Sequence, residues 1–137
     1  HPGGSLGQQL VSVRDVMRVG LQMPQVLQSA KYNEVIAEID AKRLGFAVVI
    51  DEHQQLKGII TDGDLRRSLV KWGHDAFEKI ASEISTANPK TIRSDALAVE
   101  ALKLMEKHSI SDLIILDAQS RPEGLIHLKD LLRAGVI

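Results

Sequence analysis

The spacing of apolar residues predicts two helices of the same design, each with one buried face. In the first, the apolar positions follow the i, i+3, i+4, i+7 pattern at Tyr32, Val35, Ile36 and Ile39. In the second, the same spacing recurs at Ala98, Ala101, Leu102 and Met105. Ser29 and Asp95 precede these helices, and we expect them to be the N-caps because their side-chain oxygens can accept hydrogen bonds from unpaired backbone amides.

A continuous apolar run follows each helix and predicts a strand that is covered on both faces. The runs are FAVVI at 46–50 and LIIL at 113–116, and unbroken β-branched and leucine-rich runs are typical of buried strands. Polar, turn-forming residues come next at 51–55 and 117–122, followed by a second apolar segment and another helix. The pattern therefore predicts an α/β (α+β) fold.

The chain contains an internal repeat. The segment GIITDGDLRRSL at 58–69 recurs as GLIHLKDLLRAG at 124–135, an offset of 66 residues (124 − 58 = 66). Further upstream the register shifts, because VRDVM at 13–17 best matches ASEIS at 81–85. Self-similarity over this length indicates a tandem repeat of one structural unit. Neither half is large enough to form a stable hydrophobic core of its own.

The repeat sets the expected domain organisation. We expect two β-α-β-β-α units, at 13–72 and 73–137, which pack about a pseudo-twofold axis. Each unit should present a cleft where strand ends meet helix starts, a common place for ligands in α/β folds.

Composition excludes several classes of function. The 137 residues have a formal net charge of −1 and only 3% aromatic residues, so they supply neither a strong positive field nor a base-stacking surface for nucleic acid. Without cysteine there is no disulfide, thiol nucleophile or zinc–thiolate site. The sequence also shows no membrane-length apolar run and no metal-ligand spacing. We therefore expect a cytoplasmic protein with no metal and no membrane or nucleic-acid partner.

Candidate chemistry in the first copy is concentrated in Thr61-Asp62-Gly63-Asp64. One interpretation is a helix cap, in which Thr61 caps the helix and Asp64 bonds back to it. The other is a ligand site, in which Asp64 accepts hydrogen bonds from a ribose cis-diol and Thr61 binds a sugar or phosphate oxygen. Because two aspartates already make this helix start negative, we expect a phosphate to lie to one side. The nearest candidate cations are Arg66, Arg67 and Lys129.

The second copy departs from this pattern. His127 stands in place of Thr61 and Lys129 in place of Gly63, whereas Asp130 is retained. An imidazole and an ammonium suit a more anionic ligand group than the first copy does. The alternative is that His127 is a strand-end residue bonded to backbone and that Lys129 is exposed surface.

The repeat and its Gly-apolar-apolar-Thr-x-x-Asp signature at 58–64 resemble the CBS domain, and the tandem resembles a Bateman module. That resemblance implies binding of an adenosine nucleotide or a related ligand that regulates an attached enzyme or channel. Three further stretches are HPGGSLG at 1–7, TDGDLRRSL at 61–69 and HLKDLLRAGVI at 127–137. Together they resemble the C-terminal part of the D-arabinose-5-phosphate isomerase family, which joins a SIS (sugar isomerase) domain to a CBS pair.

The isomerase resemblance implies a role for the whole protein. Its relatives interconvert D-ribulose 5-phosphate and D-arabinose 5-phosphate for the synthesis of Kdo, a component of lipopolysaccharide or capsule. Residues 1–12 would be the tail of the SIS domain and a linker, and His1 would be a catalytic acid or base only in the full-length protein. The fragment alone would then have no isomerase activity.

Partners and ligands follow from the same resemblance. It implies the chain's own SIS domain as a partner, a homo-oligomer (dimer or tetramer), and AMP, ATP or CMP-Kdo as a regulatory ligand, with no required cofactor. Two alternatives stay open at this point. In the first alternative, the pair is a purely structural oligomerisation module that binds no ligand. In the second, it is the CBS pair of another enzyme or transporter.

Overall fold

Each sequence repeat folds around a three-stranded sheet whose central strand is the continuous apolar run. A computed structural model describes residues 10–137, which form two compact units. The first-repeat unit is Leu21–Pro89, and the second-repeat unit joins residues 10–20 to Lys90–Ile137. His1, the predicted catalytic residue of the full-length protein, lies outside the described residues.

The described helices and strands alternate as the sequence predicts. Their bounds in chain order are α1 Val13–Val16, β1 Gln25–Leu27, α2 Tyr32–Lys42, β2 Phe46–Ile50, β3 Leu56–Thr61, α3 Asp62–Trp72, α4 Ala81–Ile84, β4 Thr91–Arg93, α5 Ala98–His108, β5 Asp112–Leu116, β6 Pro122–His127 and α6 Leu128–Arg133.

The two units have the same sheet topology. One sheet has the order β1-β2-β3 and the other β4-β5-β6. In each, the first strand is parallel to the central one and the third is antiparallel to it. A helix joins the first two strands and another follows the third. The predicted α+β class and the β-α-β-β-α order are therefore confirmed.

The buried face of each long helix packs against its own sheet. Strand β2 is buried along its whole length, and so is the middle of β5. The helix residues that meet these sheets in the two cores are Tyr32, Val35, Ile39, Ala98, Ala101 and Met105. Ile36, predicted to belong to the same face, is 39% exposed because it lines an open cavity beside α3.

The N-caps of α2 and α5 differ from the prediction. They are Lys31 and Leu97, whereas the sequence analysis placed them at Ser29 and Asp95. The backbone amide of each observed cap donates to the glutamate three residues further on, at 3.2 Å and 2.9 Å respectively. The prediction was wrong because this glutamate supplies the acceptor oxygen, so the helix start needs no polar side chain at the cap itself.

Residues 10–137 contain no helix with both the length and the apolar character that crossing a membrane requires.

The lead-in of each repeat is the segment before its sheet that contains the upstream match, residues 13–18 in the first repeat and 81–86 in the second. Each lead-in packs in the unit of the other repeat. Helix α1 precedes the first repeat's sheet in sequence but belongs to the second-repeat unit, and α4 belongs to the first-repeat unit. Just after these helices, Thr86 forms a single antiparallel bridge with Ile59 of β3, and Arg18 forms one with Leu125 of β6. The compact units and the sequence repeats are thus different divisions of the chain. The repeat boundaries at 13–72 and 73–137 stay a prediction.

A glycine in each sheet makes room for this lead-in backbone. A Cβ on Gly58 would lie 2.7 Å from the carbonyl oxygen of Thr86, and one on Gly124 would lie 2.6 Å from that of Arg18. Real Cβ atoms do not approach backbone oxygens so closely. Any other residue at these two positions would therefore displace the lead-in from the sheet.

We expect Gly58→Ala to lower the free energy of unfolding by about 1–3 kcal/mol, the usual effect of overfilling a packed site. The oxygen that the methyl group would meet is held in place, because it accepts the amide of Ile59 at 2.9 Å. The matched control is Gly63→Ala in α3, where the methyl group would meet only the flexible guanidinium of Arg67, at 3.1 Å. Urea denaturation measures both variants, and equal losses of stability would contradict the backbone explanation.

Candidate functional site

The start of α3 brings Thr61 and Asp64 together as a capping box. The amide of Asp64 donates to Thr61 Oγ1 at 3.2 Å, and the amide of Thr61 donates to Asp64 Oδ2 at 2.9 Å. The Thr61 hydroxyl also donates to Oδ2, at 3.1 Å. Thr61 has the extended backbone expected of an N-cap. The predicted helix cap is confirmed, and it commits one oxygen of Asp64 to local structure.

The other oxygen of Asp64 has partners from outside the cap. Oδ1 accepts Arg67 Nη2 at 2.9 Å and the hydroxyl of Thr86 at 3.0 Å. Burial acts to raise the pKa of Asp64, but the hydrogen bonds from Thr61, Arg67 and Thr86 outweigh it and hold the pKa below its ordinary value. The group is therefore an ionised carboxylate at neutral pH.

Arg67 is the movable donor in this cluster. Its side chain is 64% exposed, whereas that of Asp64 is 8% exposed. The absence of a side chain at Gly63 leaves room for the guanidinium to fold back over the helix start. The exposed guanidinium regains water when it leaves, and the carboxylate keeps its bonds from Thr61 and Thr86, so releasing Arg67 costs less free energy than releasing a buried cation.

A cavity of about 170 Å³ opens beside Asp64. Its lining residues are Asp64, Arg67, Ser68, Lys71, Trp72, Glu83 and Ile84. The ammonium groups of Lys71 and Lys79 lie over the Trp72 ring, 4.6 Å and 4.9 Å from its centroid, and form cation–π contacts. Arg66 is exposed and does not line the cavity. Ligand sites usually measure about 300–1,000 Å³, so this cavity suits one part of a ligand, such as a ribose or a phosphate.

A larger cavity of the first-repeat unit has the wrong charge for a phosphate ligand. It measures about 520 Å³ and lies beside β1 and α2, with Glu34 and Glu38 as its charged lining residues. Glu38 already accepts the amide of Gln25 at 3.0 Å and the ammonium of Lys42 at 2.8 Å. Two carboxylates without a lining cation repel an anion. Charge therefore favours the smaller cavity beside Asp64.

In the second-repeat unit, the equivalent carboxylate is held by an arginine. Asp130 Oδ2 accepts the amide of His127 at 2.9 Å, which repeats the bond made by Asp64 at the start of α3. Arg18 Nε lies 3.1 Å and 3.0 Å from the two carboxylate oxygens, and its Nη2 lies 2.9 Å from Oδ1. The side chains of Arg18 and Asp130 are 22% and 10% exposed. A partly buried guanidinium thus takes the position of the Thr86 hydroxyl.

His127 is bonded to backbone, as the alternative interpretation of the sequence expected. Its Nδ1 accepts the amide of Lys129 at 2.9 Å, so a neutral ring carries its proton on Nε2. Nε2 lies 3.7 Å from Asp112 Oδ1. Within residues 10–137, this oxygen is the one buried side-chain polar atom without a hydrogen-bond partner. The side chain of Lys129 is exposed.

Burial decides the charge of the Asp112–His127 contact. It raises the pKa of Asp112 to about 7 and lowers the pKa of His127 below its ordinary value. Asp112 is mostly protonated below pH 7, and where it ionises, above pH 7, the imidazole is neutral, so the two groups do not form an ion pair although their distance would allow one. The other charged groups that act on the pair are Arg18, Lys129, Asp130 and Arg133.

The structure groups the predicted site residues by unit. Thr61, Asp64 and Arg67 meet at one helix start and His127 and Asp130 at the other. Three participants were not predicted from the sequence, namely Arg18, Thr86 and Asp112. The lead-in alignment contained a signal for the first two, since it pairs Arg18 with Thr86 (86 − 18 = 68). Nowhere in the described chain do three His, Asp or Glu side chains gather as a metal site requires.

The Asp112 carboxyl makes the stability of the second-repeat unit depend on pH. Its folded pKa is raised, so its contribution is complete below the unfolded value of 3.8 and is lost as pH rises through about 7. The lowered pKa of His127 acts oppositely, because its contribution is present above 6.5 and lost as pH falls. We expect Asp112→Asn to remove the first effect, with a gain over wild type that grows from pH 5 to pH 8 towards at most about 4 kcal/mol.

Urea denaturation at several pH values measures this difference. Asp95→Asn, at an exposed residue of the same unit, is the matched control and should shift stability equally at all these pH values. A constant difference between Asp112→Asn and wild type would contradict the raised pKa.

Comparison with known proteins identifies both repeats. The CBS domain family model matches residues 13–71 and 81–137. The chain is 47% identical to the arabinose 5-phosphate isomerase KdsD of Pseudomonas aeruginosa and 38% identical to that of Escherichia coli K12, each over 138 residues. Both alignments cover all of this chain but 42% of the relative. The chain therefore spans less than half the length of these curated relatives.

A solved structure, that of CBSX2 in complex with AMP, has the same fold. It superimposes with a TM-score of 0.81 at 22% identity and covers 92% of this chain and 96% of that one. At this identity the likeness concerns the fold alone. With a family match on each repeat and the topology of a known CBS protein, this chain belongs to the CBS-domain family, as a tandem pair of CBS repeats.

Proposed function

We propose that this chain is the regulatory CBS pair of an arabinose 5-phosphate isomerase and that its first-repeat unit binds an adenine nucleotide. The similarity to two KdsD proteins supports the first part, and the AMP complex of a protein with this fold supports the second. Isomerisation of D-ribulose 5-phosphate would belong to a SIS domain in the longer protein. The catalytic role predicted for His1 stays a prediction.

The observation that carries the ligand proposal is that the two carboxylate oxygens of Asp64 have different kinds of hydrogen-bond partner. Oδ2 is committed to the helix cap, whereas Oδ1 receives an exposed arginine and a rotatable threonine hydroxyl. A ribose cis-diol offers two O–H donors that can replace these two partners one for one. The carboxylate can thus accept a sugar while the helix start stays intact.

Charge favours a position for the phosphate of the ligand on the side of Arg67 and Lys71. The helix start itself carries Asp62 and Asp64 and would repel an anion, while both basic residues line the cavity beside Asp64. When the diol displaces Arg67 from Asp64, the released guanidinium is free to form charge-assisted hydrogen bonds with the phosphate. After this exchange, the diol is hydrogen-bonded to Asp64 and the phosphate is bonded to Arg67.

Regulation requires more than binding. The ligand must have different affinities for two states of the longer protein, and the difference sets the size of the effect. CMP-Kdo is an alternative ligand, because an end product is a suitable inhibitor and its carboxylate would also meet Arg67 and Lys71. We propose that the longer protein is a homo-oligomer in which the CBS pair contacts the SIS domain.

We expect isothermal titration calorimetry to detect AMP binding and Asp64→Asn to weaken it at least about tenfold, the equivalent of about 1.4 kcal/mol. Asparagine keeps an oxygen for the helix cap but removes the charge that strengthens hydrogen bonds from the diol. Asp62→Asn, an exposed acid in the first turn of the same helix, is the matched control and should bind AMP as wild type does.

ATP, CMP and CMP-Kdo titrated in the same way separate the ligand classes. The structural alternative, a module that only holds subunits together, is favoured by the fact that Asp64 already has four donors. Absence of heat with all four compounds at millimolar concentration would reject the sensor and leave that alternative. Unchanged AMP affinity in Asp64→Asn would show that another residue holds the ligand.

A second variant tests the exchange of partners. We expect Arg67→Gln to weaken binding of AMP but to leave binding of adenosine unchanged or slightly stronger, because adenosine has no phosphate and no longer needs to displace a charged donor from Asp64. Arg66→Gln, at the adjacent exposed arginine, is the control and should change neither. Equal weakening of both ligands by Arg67→Gln would contradict the assignment of Arg67 to the phosphate.

A further inference from the structure

One partner of each of the two equivalent carboxylates comes from the same place in the fold. Thr86 and Arg18 occupy the same place, because each bridges to the residue after the repeat's glycine, Ile59 in β3 and Leu125 in β6. Each also presents its carbonyl oxygen at 2.6–2.7 Å from the Cβ position of that glycine. A side chain at this place points toward the carboxylate in both units, as shown by its hydrogen bond to Asp64 or Asp130.

The two units fill this place very differently. In the first-repeat unit a hydroxyl makes one bond of 3.0 Å to one carboxylate oxygen. In the second-repeat unit a guanidinium contacts both oxygens of Asp130, with three distances between 2.9 Å and 3.1 Å. Arg18 therefore satisfies the lone pairs that a ribose diol would need, in a geometry that neutralises the charge as well.

The free energy needed to separate the carboxylate from its arginine also differs between the units. Arg67, the charged partner of Asp64, is 64% exposed and regains water when it leaves. Arg18 is 22% exposed and its partner Asp130 10%, so separating them leaves two poorly hydrated charges. An ion pair with two poorly exposed partners is more unfavourable to break than one whose arginine is exposed. A neutral diol has no charge with which to compensate for the lost guanidinium.

We infer that Arg18 acts as a built-in occupant of the second-repeat site, so that each chain binds one nucleotide and binds it at Asp64. This inference rests on the proposed function, because it assumes that the first-repeat unit binds the nucleotide. It adds that a residue of the first repeat's lead-in determines how many ligands the pair takes.

Calorimetric titration of the 137-residue chain with AMP tests the inference through stoichiometry. We expect one site per chain in the wild type and two in Arg18→Thr, which places the hydroxyl of the first-repeat unit beside Asp130. Arg93→Thr removes an exposed arginine from the same unit and is the control, with one site expected. A wild-type stoichiometry of two, or a stoichiometry that stays at one in a folded Arg18→Thr, would overturn the inference.

The reciprocal variant guards against loss of folding in Arg18→Thr, which leaves Asp130 without its cation. Thr86→Arg adds a cation beside Asp64 instead of removing one, and we expect it to weaken AMP binding at least tenfold. Thr86→Gln, of similar length but neutral, should weaken it much less. AMP binding by Thr86→Arg with wild-type affinity would overturn the inference, whereas absence of AMP binding in the wild type would overturn the proposed function and this inference together.

Discussion

Two close approaches between backbones hold this protein's repeats in their observed form. At Gly58 and at Gly124, a strand of one repeat lies so near the lead-in of the other that a single methyl group would overlap a carbonyl oxygen. Each contact fixes a short antiparallel bridge, and the bridge fixes the residue whose side chain then reaches the carboxylate at the helix start. The candidate site of each unit thus depends on a contact that involves no side chain on the glycine side. The helix cap, the bridge and the carboxylate partners form one connected arrangement.

On this shared frame the two repeats have acquired different electrostatics. In the first-repeat unit, the buried Phe46 begins the central strand, and the carboxylate of Asp64 accepts hydrogen bonds from Thr61, Arg67 and Thr86. In the second-repeat unit, the same strand position is Asp112, whose carboxyl lies among Arg18, His127 and Asp130. One arginine cannot fully neutralise two acids at that place. Burial, together with the charge of Asp130, raises the pKa of Asp112 to about 7, and one of its oxygens has no hydrogen-bond partner. In the first-repeat unit, the arginine that pairs with the carboxylate is exposed and can move. In the second-repeat unit, the carboxylate is held in a partly buried ion pair.

Much of this structure follows from sequence patterns that act over short distances. The central strands, the long helices and the cap at Thr61 depend on residues within one turn or one strand, and these predictions were confirmed. The N-caps at Ser29 and Asp95 were wrong because a glutamate in the first turn of each helix replaces a polar cap. The expectation that two more cations, Arg66 and Lys129, line the site is not matched by any contact of theirs with Asp64 or Asp130 in the described chain.

The partners of the carboxylates were beyond such reasoning. Arg18 and Asp130 are 112 residues apart, and Thr86 and Asp64 are 22 apart. Neither pair lies within one repeat of the sequence, so periodicity within a repeat does not reveal it. To predict these contacts, one must know that the lead-ins are exchanged between the units. The raised pKa of Asp112 has the same origin, since it depends on burial and on charges brought together by the fold.

The exchange of lead-ins also imposes an order on folding during synthesis. The first-repeat unit is contiguous, Leu21–Pro89, so all of it is synthesised before the second sheet. The second-repeat unit is discontinuous, because residues 10–20 precede the whole first-repeat unit and its other part, from Lys90 onward, follows it. Contacts between distant segments form slowly because a long loop must close first. Val13, fully buried in the finished core, must therefore wait until the first-repeat unit and the second sheet have been made before it finds its partners.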